Sequence, residues 1–122
     1  MTVKTLVSAP ILRIFDGALA RAFYIDWLGF KVDFEHRFEP GTPIYMQVQR
    51  DGIVLHLSEH VGDSTPGSTQ YILVEGIDEI FADITSRPWR LYRPSIEEMP
   101  WGQRVFSVGD PFGNTLRFSE DL

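Results

Sequence analysis

The chain has 122 residues, a length that corresponds to one folded unit or to two small halves that share a core. Its hydrophobic content of 43% and aromatic content of 13% are ample for such a core and exclude global disorder. A net charge of −6 argues against a nucleic-acid partner, which would need a basic stripe, and zero cysteines exclude disulfides, thiol nucleophiles and cysteine metal sites.

The first half of the chain predicts a strand, a helix and three further strands. Residues 6–15 have the pattern of a strand, after which Asp16 is suited to cap a helix that runs to about residue 28. Gly29 is typical of the residue that follows a helix end. Asp51-Gly52 indicates a two-residue hairpin turn. The three strands are predicted over residues 30–38, 44–50 and 53–58.

The same order of elements follows a second time, after a predicted linker over residues 62–67. Residues 69–74 have the pattern of a strand, and residues 91–97 that of a weaker one. Between them, apolar side chains recur at the spacing of one helix face: Ile77, Ile80, Phe81 and Ile84. Asp78 and Glu79 suit the positive end of that helix.

The chain closes with a predicted strand pair, residues 103–110 and 115–119, joined by a turn at residues 110–114. Strand alternation divides its side chains between two faces. The apolar face holds Phe106, Val108, Leu116 and Phe118, and the mixed face holds Val105, Ser107, Thr115 and Arg117. A sheet with one packed face and one mixed face is a candidate pocket wall.

The sequence therefore predicts an α+β protein with two tandem βαβββ modules. We place the first module at about residues 1–61 and the second at about residues 68–122, within one domain. Because one helix cannot cover both faces of a sheet, we expect two such halves to curve around a shared cleft.

Several segments resemble the vicinal oxygen chelate superfamily, which holds glyoxalase I, extradiol dioxygenases, fosfomycin-modifying enzymes and bleomycin-resistance proteins. They are the two βαβββ units, residues 23–24 with 28–30, and the DPFGN sequence at 110–114. Within the superfamily, four stretches are similar to the bleomycin-resistance proteins: residues 8–12, 29–30 with 33–34, 74–80 and 100–102.

This resemblance implies a homodimer with a small-molecule site. Pro10 falls where that family has a proline at which the N-terminal strand crosses to the partner subunit. Trp101 falls where the family has a pocket tryptophan that stacks on the antibiotic, and Phe34 and Phe38 fall in the region that supplies pocket aromatics. Strand alternation adds three ligand-binding candidates: His56, Tyr71 and Arg117.

Each candidate also has a purely structural interpretation. Trp101 could cap the sheet as a core residue, His56 could be satisfied by a neighbour, and Tyr71 could pack in the dimer. Arg117 would repel a cationic antibiotic. It therefore either pairs with an acid such as Glu59 or Glu97, or it faces an anionic ligand.

A metal centre of the superfamily's usual kind is not expected. The four ligand positions that the resemblance implies are occupied by Ala9, His56, Thr69 and Arg117, and one imidazole does not hold a metal. The HxxEH pattern at residues 56–60 matches a zinc-peptidase motif, but that chemistry needs a helix and this segment is predicted as a strand. We expect no cofactor.

Three functions remain open. The first is a binding protein that sequesters a bleomycin-type or other planar aromatic ligand, which would confer antibiotic resistance. The second is an enzyme of the same fold, a lyase, isomerase or dioxygenase with an atypical metal set, and the third is a fold retained for another interaction. No apolar run approaches membrane-spanning length and residues 1–5 show no signal peptide, so we expect a cytoplasmic protein without a membrane partner.

Overall fold

The computed structural model describes residues 2–90 and 92–122. In the first module, strands pair in the order β1-β4-β3-β2, with β1 parallel to β4 and the other pairs antiparallel. The strand bounds are β1 Ile11–Arg13, β2 Lys31–His36, β3 Tyr45–Arg50 and β4 Ile53–Ser58. We call this sheet one. Asp51 (φ +49°) and Gly52 (φ +81°) form the predicted tight turn between β3 and β4.

The helix of the first module begins as predicted, because the Asp16 side chain accepts a hydrogen bond from the Leu19 amide at 3.1 Å. It runs as α1 over Gly17–Arg21 and continues as a π-helical segment over Ala22–Trp27. The wider turns are closed by hydrogen bonds such as Leu28 N to the Phe23 carbonyl, 3.0 Å.

The second module repeats this layout. Its sheet, called sheet two, has the order β5-β8-β7-β6, again with the first strand parallel to the last. The bounds are β5 Thr69–Leu73, α2 Ile77–Thr85, β6 Glu97–Met99, β7 Gln103–Gly109 and β8 Thr115–Asp121. The α+β fold with two tandem βαβββ modules is confirmed. None of the helices in the described residues is long and apolar enough to cross a membrane.

One hydrophobic core serves both modules. Each sheet turns one face toward the helices, and buried residues of both sheets and both helices form one cluster, which includes Leu12, Phe23, Met46, Leu57, Ile77, Ile84, Phe106 and Phe118. Hydrogen bonds cross between the modules. The Tyr24 hydroxyl donates to Asp110 Oδ2 at 2.6 Å, and Asn114 Nδ2 donates to the Arg13 carbonyl at 2.9 Å. The other face of each sheet, here called its open face, therefore lies on the outside of the chain.

An ion-pair group centred on Asp83 also ties the modules together. The carboxylate of Asp83, in α2, accepts hydrogen bonds from Arg50 Nη1 at 2.5 Å and from Arg87 at 2.9 and 3.0 Å. Arg50 also donates to the Leu28 carbonyl, and Arg87 Nε to the Trp27 carbonyl. These two guanidinium groups hold the pKa of Asp83 well below its usual range.

Two predicted strands are shorter than expected. The strand predicted over residues 6–15 is only Ile11–Arg13, because the preceding residues find no partner strand among the described residues and Pro10 has no N–H. The strand predicted over 91–97 is Glu97–Met99, since pairing with β7 begins only at Glu97 opposite Val105. Leu91 lies outside the described residues.

Candidate functional site

The open face of sheet one carries a polar group centred on His56. Strand pairing places Phe34 of β2, Gln47 of β3, His56 of β4 and Ile11 of β1 side by side on this face. The intervening residues of the same strands, such as Met46 and Leu57, point into the core. The alternation of β3 and β4 therefore delivers a row of polar and aromatic side chains to the outside.

Hydrogen bonds fix the imidazole of His56 in one orientation. Gln47 Nε2 donates to the Asp33 carboxylate at 2.8 Å, so its amide oxygen is turned toward His56 Nε2, also at 2.8 Å. The Tyr45 hydroxyl lies 2.5 Å from His56 Nδ1. Because an amide oxygen only accepts, this geometry makes Nε2 the donor to Gln47, and in the neutral imidazole Nδ1 is then the acceptor for the Tyr45 hydroxyl. Burial is the main cause that raises the pKa of Tyr45, which keeps that hydroxyl a donor.

A chain of six aromatic rings extends across the same face. The rings of Phe34 and His56 are 6.0 Å apart, and those of His56 and Tyr45 are 5.2 Å apart. The chain continues from Tyr45 to His60 at 6.5 Å, to Phe38 at 6.1 Å and to His36 at 4.8 Å. All three histidines of the chain belong to it. The predicted residues Phe34, Phe38 and His56 are thus brought together on one surface.

The open face of sheet two carries a second group, centred on Gln103. Trp101 Nε1 donates to Gln103 Oε1 at 3.0 Å. Gln103 Nε2 in turn donates to the Tyr71 hydroxyl at 2.8 Å and to Asp121 Oδ1 at 2.9 Å. Arg117 pairs with Tyr71 across the β5–β8 ladder. The predicted residues Tyr71, Trp101 and Arg117 therefore share this face, although Trp101 lies just before β7.

The structure does not bring these two groups together within one chain. In residues 2–90 and 92–122, no hydrogen bond, ion pair or ring contact joins the His56 group to the Gln103 group. This follows from the fold, because the two sheets share a core on their helix-facing sides and their open faces are directed outward. The chain therefore presents two separate candidate half-sites.

The segment before β1 is exposed and has no regular secondary structure. Residues 2–8 form no helix or strand, and Val3 and Leu6 are 94% and 82% exposed. Pro10 stands at the end of this segment, where its carbonyl accepts a hydrogen bond from the His56 amide at 2.9 Å. Beside it lies a groove of about 1020 Å³, whose walls are Ser8, Pro10, the turn between β3 and β4, strand β5 and the start of α2.

The residues at the metal-ligand positions that the resemblance implies do not suit a metal. Both ring nitrogens of His56 are occupied by Tyr45 and Gln47. The guanidinium of Arg117 offers only N–H donors, and Ala9 has no donor atom for a metal. Across the described part of the chain, no three His, Asp or Glu side chains form a group that could hold a metal ion. The HxxEH segment begins in strand β4, so the predicted strand conformation around His56 is confirmed.

A family model described as glyoxalase superfamily protein matches residues 2–122. The chain belongs to the glyoxalase superfamily. The superfamily resemblance of the sequence is thereby confirmed. Comparison with curated proteins finds no match.

Among solved structures, the bleomycin-binding protein of Streptomyces verticillus, complexed with copper(II)-bleomycin, is 30% identical to this superfamily member. The match covers 99% of this chain and 100% of the Streptomyces protein, with a TM-score of 0.69. A bleomycin resistance determinant encoded on transposon Tn5 is 24% identical and has a TM-score of 0.71. This match covers 96% of this chain and 98% of the determinant. A glyoxalase-related enzyme from Clostridium phytofermentans is 20% identical and has a TM-score of 0.73. This match covers 100% of this chain and 98% of the enzyme. The last two show the fold alone.

Sequence reasoning overlooked three residues that organise the half-sites of this glyoxalase-superfamily chain: Tyr45, Gln47 and Gln103. The alternation of β3 could have found the first two, since residues 44, 46 and 48 are apolar and residues 45, 47 and 49 are not. Gln103 gave no such signal, because its role depends on Tyr71, which is 32 residues away in sequence.

Proposed function

We propose that the chain is a binding protein that sequesters a planar aromatic small molecule, with a bleomycin-type ligand as the first candidate. The observation that carries this proposal is the aromatic side chains that remain exposed on both open faces: Trp101 is 65% exposed and Phe34 47%. Aromatic rings that remain open to solvent are suited to stack on a planar ligand. The copper(II)-bleomycin complex of the 30% identical relative supports the same ligand class.

We further propose that two copies complete the site. A two-fold dimer places the same surfaces in contact twice, so the open face of sheet one can meet the open face of sheet two of the partner at two equivalent clefts. The separation of the His56 group from the Gln103 group within one chain supports this arrangement. Each cleft would then combine Phe34, Phe38 and His56 of one copy with the other copy's half-site of Tyr71, Trp101 and Arg117.

The exposed N-terminal segment supports dimerisation by strand exchange. Large apolar side chains such as Val3 and Leu6 are costly to leave in water, and a partner chain would cover them. Pro10 precedes β1 and would set the direction in which this segment leaves the chain. Light scattering should give twice the monomer mass of 14.0 kDa, and a monomer at micromolar concentration would refute the exchange.

The alternative is an enzyme of the same fold with an atypical metal site. Its donor set is poor here, since His56 uses both nitrogens within the protein and Arg117 cannot ligate. We therefore propose that ligand binding, rather than bond making or breaking, is the function, and that resistance would follow from mass action.

Isothermal calorimetry with copper(II)-bleomycin, followed by a panel of planar aromatic compounds, tests ligand binding directly. Saturable binding at one site per chain is expected. If no planar compound binds at millimolar concentration, the proposed function is wrong. If binding occurs only after a divalent metal is added to the protein, the enzyme alternative gains support.

A complementation experiment tests whether the cleft is shared between two copies. Phe34→Ala damages the half-site of sheet one, and Trp101→Ala damages that of sheet two, so neither variant alone should bind with full affinity. Co-expression of the two gives mixed dimers in which one cleft has both changes and the other has neither. About one site in four should then recover full affinity. If no site recovers although mixed dimers form, the cleft is not shared.

A further inference from the structure

Arg117 differs from the other arginines in having no partner among the described residues. The chain has nine arginines, all of them in residues 2–90 and 92–122. Eight contact an acceptor or a ring. The acceptors are carboxylates for Arg21, Arg37, Arg50, Arg87 and Arg104, backbone carbonyls for Arg13 and Arg93, and the Trp89 ring for Arg90. In the described residues, Arg117 makes no hydrogen bond, ion pair or ring contact.

The carboxylates that could neutralise Arg117 are engaged elsewhere or lie apart from it. Glu59 pairs with Arg37 at 3.6 Å and accepts from the Ile44 amide at 2.8 Å. Asp121 accepts from Gln103 and lies four residues along β8, about 13 Å away at strand rise. Glu97 is on β6, two strands away from β8 in sheet two. The sequence left open whether Arg117 pairs with an acid, and none of these three does so in the structure.

The surroundings of Arg117 on the open face are hydroxyl groups rather than acids. In the strand ladders, Arg117 lies opposite Tyr71 of β5 on one side and opposite Ser107 of β7 on the other. The next pair on this face is Thr69 with Thr115. A guanidinium group without a carboxylate, surrounded by neutral hydroxyl donors, is an arrangement that accepts an anion, because each group can donate to an anionic oxygen.

We infer that Arg117 selects a planar aromatic ligand that carries an anionic group, such as a carboxylate, sulfonate or phosphate. This inference rests on the proposed function and deepens it. The aromatic part would stack on the Trp101 side of the face, and the anionic group would receive hydrogen bonds from the Arg117 guanidinium. The net charge of −6 gives the protein as a whole a field that favours cations, so a preference for an anionic ligand has to come from the local contact with Arg117.

Two matched probes test the inference: 2-naphthoate, which has a carboxylate, and 2-naphthamide, its neutral analogue of nearly the same shape. Calorimetry should show that the dimer binds the carboxylate more tightly by about tenfold to a hundredfold, the range expected for hydrogen bonds to a charged group. Arg117→Gln should remove this preference, because the affinity for naphthoate should fall much more than the affinity for naphthamide. Arg117→Lys should keep part of it, since the charge remains and the planar fork is lost.

Arg93→Gln is the matched control, because it makes the same change in charge at an exposed arginine whose contact is the Tyr92 carbonyl. This variant should keep the preference for naphthoate. Equal binding of both probes to the wild type, or an unchanged preference in Arg117→Gln, overturns the inference and leaves the proposed function standing. If the wild type binds neither probe nor any other planar compound of the panel, both the proposed function and the inference are wrong.

Discussion

Replacing Trp101 by alanine should weaken ligand binding more than it weakens folding. Trp101 is 65% exposed, which leaves about 160 Å² of a side chain of about 250 Å² open to a ligand. A ligand stacked on one face of the indole would cover about half of that area. At about 25 cal/mol per Å², this is worth about 2 kcal/mol, or about a thirtyfold change in dissociation constant.

The cost to folding is smaller. The third of the indole that is buried sets an upper limit on the apolar burial that the variant loses. The true loss is smaller, because the unfolded chain already shields part of this area and alanine keeps part of the contact. The hydrogen bond from Trp101 to Gln103 is exposed and contributes little. We therefore expect the free energy of unfolding to fall by about 1 kcal/mol or less. Urea denaturation at fixed chain concentration measures it, since the stability of a dimer depends on concentration.

Trp89 supplies a matched tryptophan control. Its ring stacks on Trp27 at 5.8 Å and meets Phe23 edge-on at 5.5 Å, so it is partly buried against the core rather than exposed on an open face. Trp89→Ala should lower the free energy of unfolding by about 3 kcal/mol and leave the affinity of the folded protein unchanged. The reasoning is refuted if Trp101→Ala instead lowers the free energy of unfolding strongly and leaves the ligand affinity unchanged.

The remaining predictions concern the scaffold and the metal. Asp83→Asn should lower the free energy of unfolding by about 1 kcal/mol at neutral pH, a value discounted because the carboxylate is partly exposed. Since the pKa of Asp83 is lowered by folding, its contribution is present above the unfolded pKa of about 3.9 and is lost as the pH falls, so acid unfolding curves of wild type and variant should converge. Ser119→Ala should be neutral or stabilising, because Ser119 Oγ is buried without a hydrogen-bond partner in the described residues, and a thermal melt checks this. Elemental analysis should find no stoichiometric divalent metal, and about one zinc, iron or manganese per chain would contradict the proposal.

The fold was predictable because its local signals agree with one another. The cap at Asp16, the helix spacing from Ile77 and the Asp51-Gly52 turn each act over a few residues, and each is found where the sequence predicts it. The strand bounds at β1 and β6 were not predictable in the same way. A strand ends where its ladder partner ends, and that partner lies elsewhere in the sequence.

The π-helical continuation of α1 was also beyond sequence reasoning. The spacing of Phe23 and Trp27 fits a regular helix, yet the segment Ala22–Trp27 has wider turns. In the structure, Phe23 contacts Tyr24, Trp27 and Trp89, and Trp89 belongs to the second module. The surroundings of this segment thus include residues of the second module. The pattern of apolar residues within the segment cannot predict those contacts or the wider turns.

Strand alternation identified which side chains reach an open face, but it could not show what they meet there. His56 and Arg117 occupy corresponding places, each on the last strand of its module and facing outward. His56 is fully engaged by Tyr45 and Gln47, whereas Arg117 has no partner in the described residues. The two half-sites therefore differ in kind: on sheet one both ring nitrogens of His56 are already in hydrogen bonds, whereas on sheet two Arg117 carries a charge without a partner in the described residues. A ligand held between them would be oriented by stacking on both sides and selected by charge on one side only, which is why the naphthoate and naphthamide comparison separates recognition by shape from recognition by charge.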